Sequence, residues 1–236
     1  ITRVSNPATA TAVQLAELAF IQPTGSILRE YWLGIQGASV SDLTGNANYP
    51  NNPSGSDQLS SFEAPTDWAE YYGTRVRGYI MAPSTGSYVF WIATDDGGEL
   101  WLSTNDAPAN IKKIAYILSW ASSREWTRES TQKSAPINLV AGQKYYVEAL
   151  QKEHGGGDNL AVGWAKPGQA TTTPSEVIPG WVLSPWTGGS LSSLAADTPV
   201  DSGGVLSGQG TYGKKVLEPA VYSLASPGKT GFMTNG

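Results

Sequence analysis

From Ser26 onward, short apolar runs alternate with turn signals, and this regular spacing limits the fold more than any other feature of the chain. The runs TRVRGYIMAP, GSYVFWIATDD and DNLAVGWAKPG are each long enough for one strand, with Gly, Pro, Asn or Asp between them. Large and small side chains alternate along the third run: Leu160, Val162 and Trp164 against Ala161, Gly163 and Ala165. No long helical periodicity interrupts the pattern, so the sequence predicts an all-β sandwich or barrel.

Changes in composition divide the chain into three parts. Residues 1–24 contain the stretch TAVQLAELAF, which ends before Pro23 and predicts a strand-like N-terminal extension. Residues 25–186 hold the strand pattern and form the predicted domain. Residues 187–236 are rich in Gly, Ser and Thr but include short β-like patches, so we expect a C-terminal extension with short β segments.

Charge and composition exclude several classes of function. The formal net charge is −5 and Lys and Arg form no cluster, so no nucleic-acid partner is expected. No apolar run is long enough to cross a bilayer, which argues against membrane insertion. The chain has no Cys and one His, His154, which rules out disulfides and thiolate metal sites and argues against a Ser-His-Asp triad or a multi-His zinc site.

The stretch WIATDDGGELWLS places Asp95 and Asp96 side by side between two apolar strands. Asp-Gly at such a position is a hairpin signal, and on that interpretation Asp96 and Gly97 form the turn while Asp95 ends a strand. A turn needs only one of the two carboxylates. Gly97 and Gly98 provide the backbone freedom that would let both carboxylates converge on one cation, so a metal site is the second interpretation.

A second loop, in QKEHGGGDNLAVGW, has matching chemistry. Its candidate ligand groups lie between two predicted strands and are Glu153, Gly155, Gly156, Gly157, Asp158 and Asn159. Consecutive Gly residues allow a backbone path that turns carbonyl or amide groups toward a ligand, although a Gly-rich hairpin loop with solvated charges is the alternative. If both loops lie at one end of a sandwich, they supply about four carboxylates, enough for Ca²⁺ once backbone and water complete its shell.

Three ordered segments together resemble the bacterial lectin-like or adhesin-type members of the PA14 domain family. These segments are GYIMAPSTGSYVFWIATDDGGELWLS, LVAGQKYYVEALQKEHGGGDNLAVGW and EVIPGWVLSP. The resemblance implies a PA14-type β-sandwich or barrel. Lectin-like members bind Ca²⁺ through an Asp pair joined by a cis peptide, and sugar hydroxyls complete the shell. Matched by motif, the pair falls on Asp95 and Asp96 and the second ligand loop on residues 153–159, so the implied metal ligands are Asp95, Asp96, Glu153 and Asp158.

A shorter resemblance lies at the start of the chain. The stretch RVSNPATATAVQLAELAF is similar to the final strands of a discoidin-type domain, but it is too short to fold as one. Many PA14 domains serve as spacers or assembly units, so the resemblance alone leaves the function open.

Two further groups of residues bear on function. In the polar segment SWASSREWTRESTQKSAP, Trp120 and Trp126 are candidates for a sugar-stacking platform, whereas most other Trp residues are expected in the core. A carboxylate pair could also hydrolyse glycosides, with Asp96 and either Glu153 or Glu148 as acid and base. Adjacent Asp residues at a Gly-rich loop tip suit a cation better, so we expect a binding protein rather than an enzyme.

Two functions follow from these observations. The first is a calcium-dependent carbohydrate-binding module, a lectin or adhesin, that binds a glycan or polysaccharide outside the cell or at the cell surface. The second is a structural subunit of an extracellular filament or surface assembly. In that case the terminal segments would exchange strands between copies to form a homopolymer, and the Asp pair would hold Ca²⁺ for rigidity.

Overall fold

The computed structural model describes residues 25–186 and is almost entirely built of β-strands. The strands are β1 (Ile27–Leu33), β2 (Gly55–Leu59), β3 (Tyr72–Met81), β4 (Gly86–Asp95), β5 (Gly98–Ser103), β6 (Ile111–Ile117), β7 (Ile137–Leu139), β8 (Lys144–Glu153), β9 (Asn159–Ala165), β10 (Glu176–Val177) and β11 (Leu183–Pro185). One short helix, α1 (Val40–Thr44), and three 3₁₀ turns complete the described part. The predicted extensions at residues 1–24 and 187–236, with the discoidin-like stretch and the proposed exchange of terminal strands, lie outside the described residues.

The strands form two antiparallel sheets packed face to face. The larger sheet has the order β2-β1-β3-β8-β5-β6, with β11 also paired to β3, and the smaller sheet has the order β10-β9-β4-β7. Apolar side chains from both sheets fill the space between them, and nearly all are fully buried. The predicted all-β sandwich is therefore confirmed.

The alternation along β9 has the structural effect that the sequence predicts. Leu160, Val162 and Trp164 all belong to the core between the sheets. On the opposite face, a Cβ added to Gly163 would lie 2.6 Å from the Cβ of Pro174, so the segment before β10 can pack there only against a residue without a side chain. Both faces of β9 are buried as a result.

The predicted Asp-Asp-Gly-Gly hairpin is wrong. Strand β4 pairs with β9 and β7 in the smaller sheet, whereas β5 pairs with β8 and β6 in the larger one. The turn at residues 95–98 is therefore a crossover between sheets. The Gly-rich loop at residues 154–158 is a second crossover, because it leaves β8 in the larger sheet and enters β9 in the smaller one. A hairpin signal reports that the chain can turn sharply, but not which strand it pairs with afterwards.

The polar, turn-rich residues 37–56 contain α1 and the start of β2. Helix α1 begins after Ser39, whose backbone N–H donates to Asp42 Oδ2 at 3.0 Å. The helix packs on the outer face of the larger sheet because Gly73 leaves room there: a Cβ at that position would lie 2.5 Å from Leu43 Cδ1. In the described part of the chain, no helix has the length and apolar character required to cross a membrane.

Candidate functional site

Three carboxylates meet where the two crossovers run side by side. Asp95, Asp96 and Glu153 each place an oxygen within 4.8 Å of the others. The peptide bond between Asp95 and Asp96 is cis, as the PA14 resemblance implies. The two loops therefore lie at the same end of the sandwich, which the sequence predicted, although each loop joins the two sheets rather than neighbouring strands.

Backbone hydrogen bonds connect the two crossovers directly. The Asp96 N–H donates to the Lys152 carbonyl at 3.0 Å, and the Lys152 N–H donates to the Gly97 carbonyl at 2.9 Å. The His154 N–H donates to Asp96 Oδ2 at 2.9 Å, so one oxygen of that carboxylate is already oriented. These contacts fix the separation of Asp96 and Glu153 through the main chain.

Glu153 is the most unusual group in the cluster. Its side chain is fully buried, and neither carboxylate oxygen has a hydrogen-bond partner among the described residues. A buried ionised carboxylate without a partner is strongly unfavourable, so it must bind a proton or face a cation. Burial, followed by the negative charges of Asp96 and Asp95, raises the pKa of Glu153 to about 8.

Asp95 is affected by burial and by nearby negative charges in the same way. Burial, followed by the charges of Asp96 and Asp158, raises the pKa of Asp95 to about 6. Mutual repulsion among these acids disfavours their ionised forms. A divalent cation between them would remove the repulsion and lower the pKa values.

Asp158, which the sequence predicts as a metal ligand, has one carboxylate oxygen bound by the main chain and one, Oδ1, buried without a hydrogen-bond partner among the described residues. Its Oδ2 accepts hydrogen bonds from the backbone N–H groups of Trp68 at 2.7 Å and Ala69 at 2.9 Å. It lies outside the group of three converging carboxylates. Asp158 therefore holds the loop at residues 65–71 through Oδ2, and its role as a metal ligand stays a prediction.

Asn159, predicted to contact ligand, anchors a different segment. Its Nδ2 donates to the Ala121 carbonyl at 2.9 Å, and the Ala121 N–H donates to the Thr94 carbonyl at 2.7 Å. The amide oxygen of Asn159 is buried and has no hydrogen-bond partner among the described residues. Asn159 thus ties the segment that carries Trp120 to the ends of β4 and β9.

A third acidic loop borders the site, and no sequence motif pointed to it. Glu70 Oε2 accepts a hydrogen bond from the Gly156 N–H at 2.9 Å. A Cβ at Gly155 would lie 2.7 Å from the same oxygen, and a Cβ at Gly157 would lie 3.2 Å from Asp67 Oδ1. Gly155 and Gly157, two of the three Gly residues predicted to turn backbone groups toward a ligand, therefore let the 65–71 loop approach closely, whereas a Cβ at Gly156 would meet nothing within 4 Å.

The two predicted platform residues differ in their surroundings. Trp120 is 41% exposed, and the Arg128 guanidinium lies 3.5 Å from the centre of its ring. Trp126 is half-buried and packs against a small cluster of Val89, Trp91 and Ala165. Trp120 thus presents an aromatic surface near the end of β4, whereas Trp126 packs against residues of β4 and β9.

The glycosidase pairing of Asp96 with Glu148 is incompatible with the structure. Glu148 and Glu153 are five positions apart on β8, so they project from opposite faces of the larger sheet. Glu153 faces the sandwich interior and its crossovers, whereas Glu148 lies on the outer face. The carboxylates that do converge are Asp95, Asp96 and Glu153, with oxygens within 4.8 Å of one another.

Comparison with known proteins identifies the fold. The sequence profile of the PA14 domain matches residues 24–177. Among solved structures, the PA14 sugar-binding domain from an RTX adhesin superimposes with a TM-score of 0.51 at 13% identity, covering 69% of this chain and 99% of that one. At this identity the likeness concerns the fold alone, and it confirms the predicted PA14-type sandwich.

Two curated relatives share part of the same region. The mouse (Mus musculus) N-acetyl-beta-glucosaminyl-glycoprotein 4-beta-N-acetylgalactosaminyltransferase 1 is 32% identical over 133 residues, which cover 54% of this chain and 13% of the relative. Human (Homo sapiens) fibrocystin-L is 34% identical over 80 residues, which cover 34% of this chain and 2% of the relative. The chain thus corresponds to a small part of each of these longer proteins.

Proposed function

Because the chain belongs to the PA14 domain family, we propose that it is a calcium-dependent carbohydrate-binding module, lectin-like or adhesin-like. Asp95, Asp96 and Glu153 hold the cation, and hydroxyl groups of a glycan or polysaccharide complete its shell. The observation that carries this proposal is Glu153, a buried carboxylate with both oxygens unpartnered among the described residues. Glycans and polysaccharides occur on cell surfaces and outside cells. We therefore propose that the protein acts outside the cell or on its surface.

Calcium fits the available donors better than other metals do. The cluster consists of carboxylate oxygens, which are hard ligands, and contains neither His nor Cys side chains. Ca²⁺ accepts irregular shells of about six to eight oxygens, so three carboxylates leave positions for water, backbone carbonyls and ligand. Mg²⁺ demands a tighter octahedral arrangement and releases its water reluctantly, which makes it a poorer bridge to a sugar.

A sugar is the ligand that this geometry favours. Asp95 and Asp96 are half-buried, so a cation held between them and Glu153 can be reached from solvent. Neighbouring hydroxyls of a pyranose can replace two calcium waters, and the exposed ring of Trp120 offers a surface for its C–H face. A domain of the same fold in the RTX adhesin is described as sugar-binding.

Binding is favoured over catalysis by the number of carboxylates that converge. A glycosidase uses two carboxyl groups that flank the bond they cleave. Here three carboxylates converge from two crossovers, with oxygens within 4.8 Å of one another, an arrangement that suits joint ligation of one ion. We therefore assign the site to recognition.

The test combines metal and glycan binding. Calcium titration calorimetry on chelator-treated protein should detect a site in the wild type that is lost in Asp95→Asn, Asp96→Asn and Glu153→Gln. Asp106→Asn is the matched control, since Asp106 is an exposed acid beyond the opposite end of β5. A glycan array with calcium and with chelator should show hits that require calcium and that Glu153→Gln removes. Sugar binding that survives chelation at this site, or calcium binding that survives all three substitutions, would contradict the proposal.

A further inference from the structure

The outer face of the larger sheet contains a second candidate binding site. A cleft of about 440 Å³ lies over β5 and β8, between α1 and the turn that precedes β6. Its volume is within the range of small-ligand sites, which is roughly 300–1,000 Å³. The residues that matter for its chemistry are Ser41, Thr44, Glu99, Trp101 and Glu148. Because β8 directs Glu148 outward and Glu153 inward, the sheet separates this cleft from the carboxylate cluster.

Hydrogen bonds hold the polar groups of the cleft in fixed orientations. The Trp101 indole N–H donates to Glu99 Oε2 at 3.0 Å. The Tyr146 hydroxyl donates to Glu148 Oε2 at 2.8 Å, and Tyr146 is itself almost completely buried. A half-buried indole therefore lies beside two carboxylates whose positions are set before any ligand arrives.

The charges that line the cleft are compensated within the protein. Lys113 Nζ lies 2.8 Å from Glu99 Oε1. Around Glu148, burial raises the pKa of the carboxyl group, while the nearby charges of Arg75 and Arg77 act in the opposite direction. Both arginines are in turn paired with Glu30, at 2.9 Å and 2.8 Å. The surroundings thus carry no excess charge that would attract a strongly cationic or anionic ligand.

An uncharged pyranose ring has the complementary chemistry. One face of such a ring consists of C–H groups that stack on an aromatic surface, and its edges carry hydroxyls that donate to carboxylates. Trp101 offers the surface, Glu99 and Glu148 offer acceptors, and the hydroxyls of Ser41 and Thr44 line the facing wall. A purely apolar ligand would cover the remaining acceptor positions of Glu99 and Glu148 and the hydroxyls of Ser41 and Thr44 without offering them hydrogen bonds, which is unfavourable.

We propose that this outer cleft binds one pyranose residue of an uncharged glycan, independently of any cation, with Trp101 against the ring and Glu148 accepting a hydroxyl. The proposal goes beyond the calcium site and does not rest on it. Two sites on one domain would let a single polysaccharide engage both, which raises the apparent affinity for long chains over short ones.

Fluorine NMR of protein labelled with 5-fluorotryptophan provides the test, since the chain has 9 Trp residues. Trp101→Phe assigns the Trp101 signal and Trp181→Phe, at an exposed Trp in another turn, is the control. The probes are methyl glycosides of glucose, galactose, mannose and N-acetylglucosamine, all in chelator. At least one should shift the Trp101 signal saturably, with a dissociation constant on the order of 1 mM. Glu148→Gln should weaken that binding about tenfold and Trp181→Phe should not.

The outcomes separate this proposal from the calcium-dependent one. If none of the glycosides shifts the Trp101 signal saturably, the outer site is ruled out. Binding that Glu148→Gln leaves unchanged would also overturn it. A shift caused by methyl glucuronide or tetramethylammonium but by none of the neutral glycosides overturns the assigned ligand class. Calcium titration of the wild type and of Glu153→Gln decides the other proposal separately.

Discussion

Asp95, the last residue of β4, pairs with Asn159, the first residue of β9, where these two interior strands of the smaller sheet reach the end of the sandwich that carries the carboxylates. A few residues away, Gly98 on β5 pairs with Gln151 on β8 in the larger sheet. The two crossovers are therefore held in place by strand pairing at both of their ends. The carboxylates between them converge because the two sheets fix their positions, and not only because the loops contain Gly.

Glu153→Gln should stabilise the protein when calcium is absent and abolish its stabilisation by calcium. The substitution removes a buried, unpartnered negative charge, so we expect a gain of about 1–2 kcal/mol in chelator at a pH above the raised pKa. Calcium at 100 times its dissociation constant should stabilise the wild type by about 2.7 kcal/mol and the variant hardly at all. Urea unfolding with and without calcium measures both effects. A wild-type response to calcium in the variant would show that Glu153 is not a ligand.

In chelator, the free energy of unfolding should fall as the pH rises from about 4.5 to about 8. The pKa of Glu153 is raised from 4.5 to about 8 in the folded protein, first by burial and then by the charges of Asp96 and Asp95. Across this window the folded state binds more protons than the unfolded state, so stability decreases with increasing pH. Unfolding curves at intervals of pH measure the slope. Glu153→Gln should flatten it, and an equal slope in that variant would assign the effect to other groups.

Asp158→Ala should destabilise the protein without removing its calcium site. The substitution leaves the N–H groups of Trp68 and Ala69 without their acceptor, at a cost of about 1–3 kcal/mol. Asp158→Asn keeps an accepting oxygen and should be nearly as stable as the wild type. Calcium affinity, measured by calorimetry, should fall far less in Asp158→Asn than in Asp95→Asn. Equal losses in those two variants would make Asp158 a direct ligand, as the PA14 resemblance implies.

Trp120 and Trp126 should respond differently to truncation. Trp120→Ala removes an exposed ring beside the carboxylate cluster, so it should weaken glycan binding with little effect on stability. Trp126→Ala removes packing against Val89 and Trp91 and should lower the free energy of unfolding by about 1–3 kcal/mol. Glycan binding and urea unfolding of both variants provide the measurements. A weaker loss of binding in Trp120→Ala than in Trp126→Ala would reverse the assignment.

Gly163→Ala tests the close packing beneath β9. The added Cβ would lie 2.6 Å from Pro174, closer than carbon atoms can approach, so the segment must shift. We expect a loss of about 1–3 kcal/mol in the free energy of unfolding. Ala161→Gly, at a position on the same face, is the comparison that removes volume instead of adding it. If Gly163→Ala unfolds with the same free energy as the wild type, the segment that contains Pro174 adapts easily to the added Cβ.

The strands could be predicted from the sequence because their pattern is local. Alternation along DNLAVGWAKPG places Leu160, Val162 and Trp164 in the core, and Gly and Pro residues mark the breaks between strands. Partners of strands depend on contacts far apart in the chain, and no local signal distinguishes a hairpin from a crossover. For that reason the sequence predicts a hairpin at residues 95–98, where the chain in fact passes between sheets.

The candidate site was only partly predictable for the same reason. The doubled Asp of WIATDDGGELWLS and the acidic Gly-rich loop stand out by composition. Asp67 and Glu70 lie in the segment PTDWAEYY, which carries no unusual feature. They reach the site because β3 runs beside β8, which places Tyr72 opposite Glu153. That pairing is a property of the folded sheet, so it could not be deduced from either segment alone.

The position of the crossovers also determines how the domain would carry a load. Strand β4 lies inside the smaller sheet and β8 inside the larger one, each with a hydrogen-bonded neighbour on both sides. A pull exerted through a ligand bound between the crossovers is therefore divided between two interior strands. Force along an interior strand acts on rows of hydrogen bonds together, in shear, whereas an edge strand peels away one bond at a time. A load applied at the end of the sandwich that carries the carboxylates therefore passes into one interior strand of each sheet.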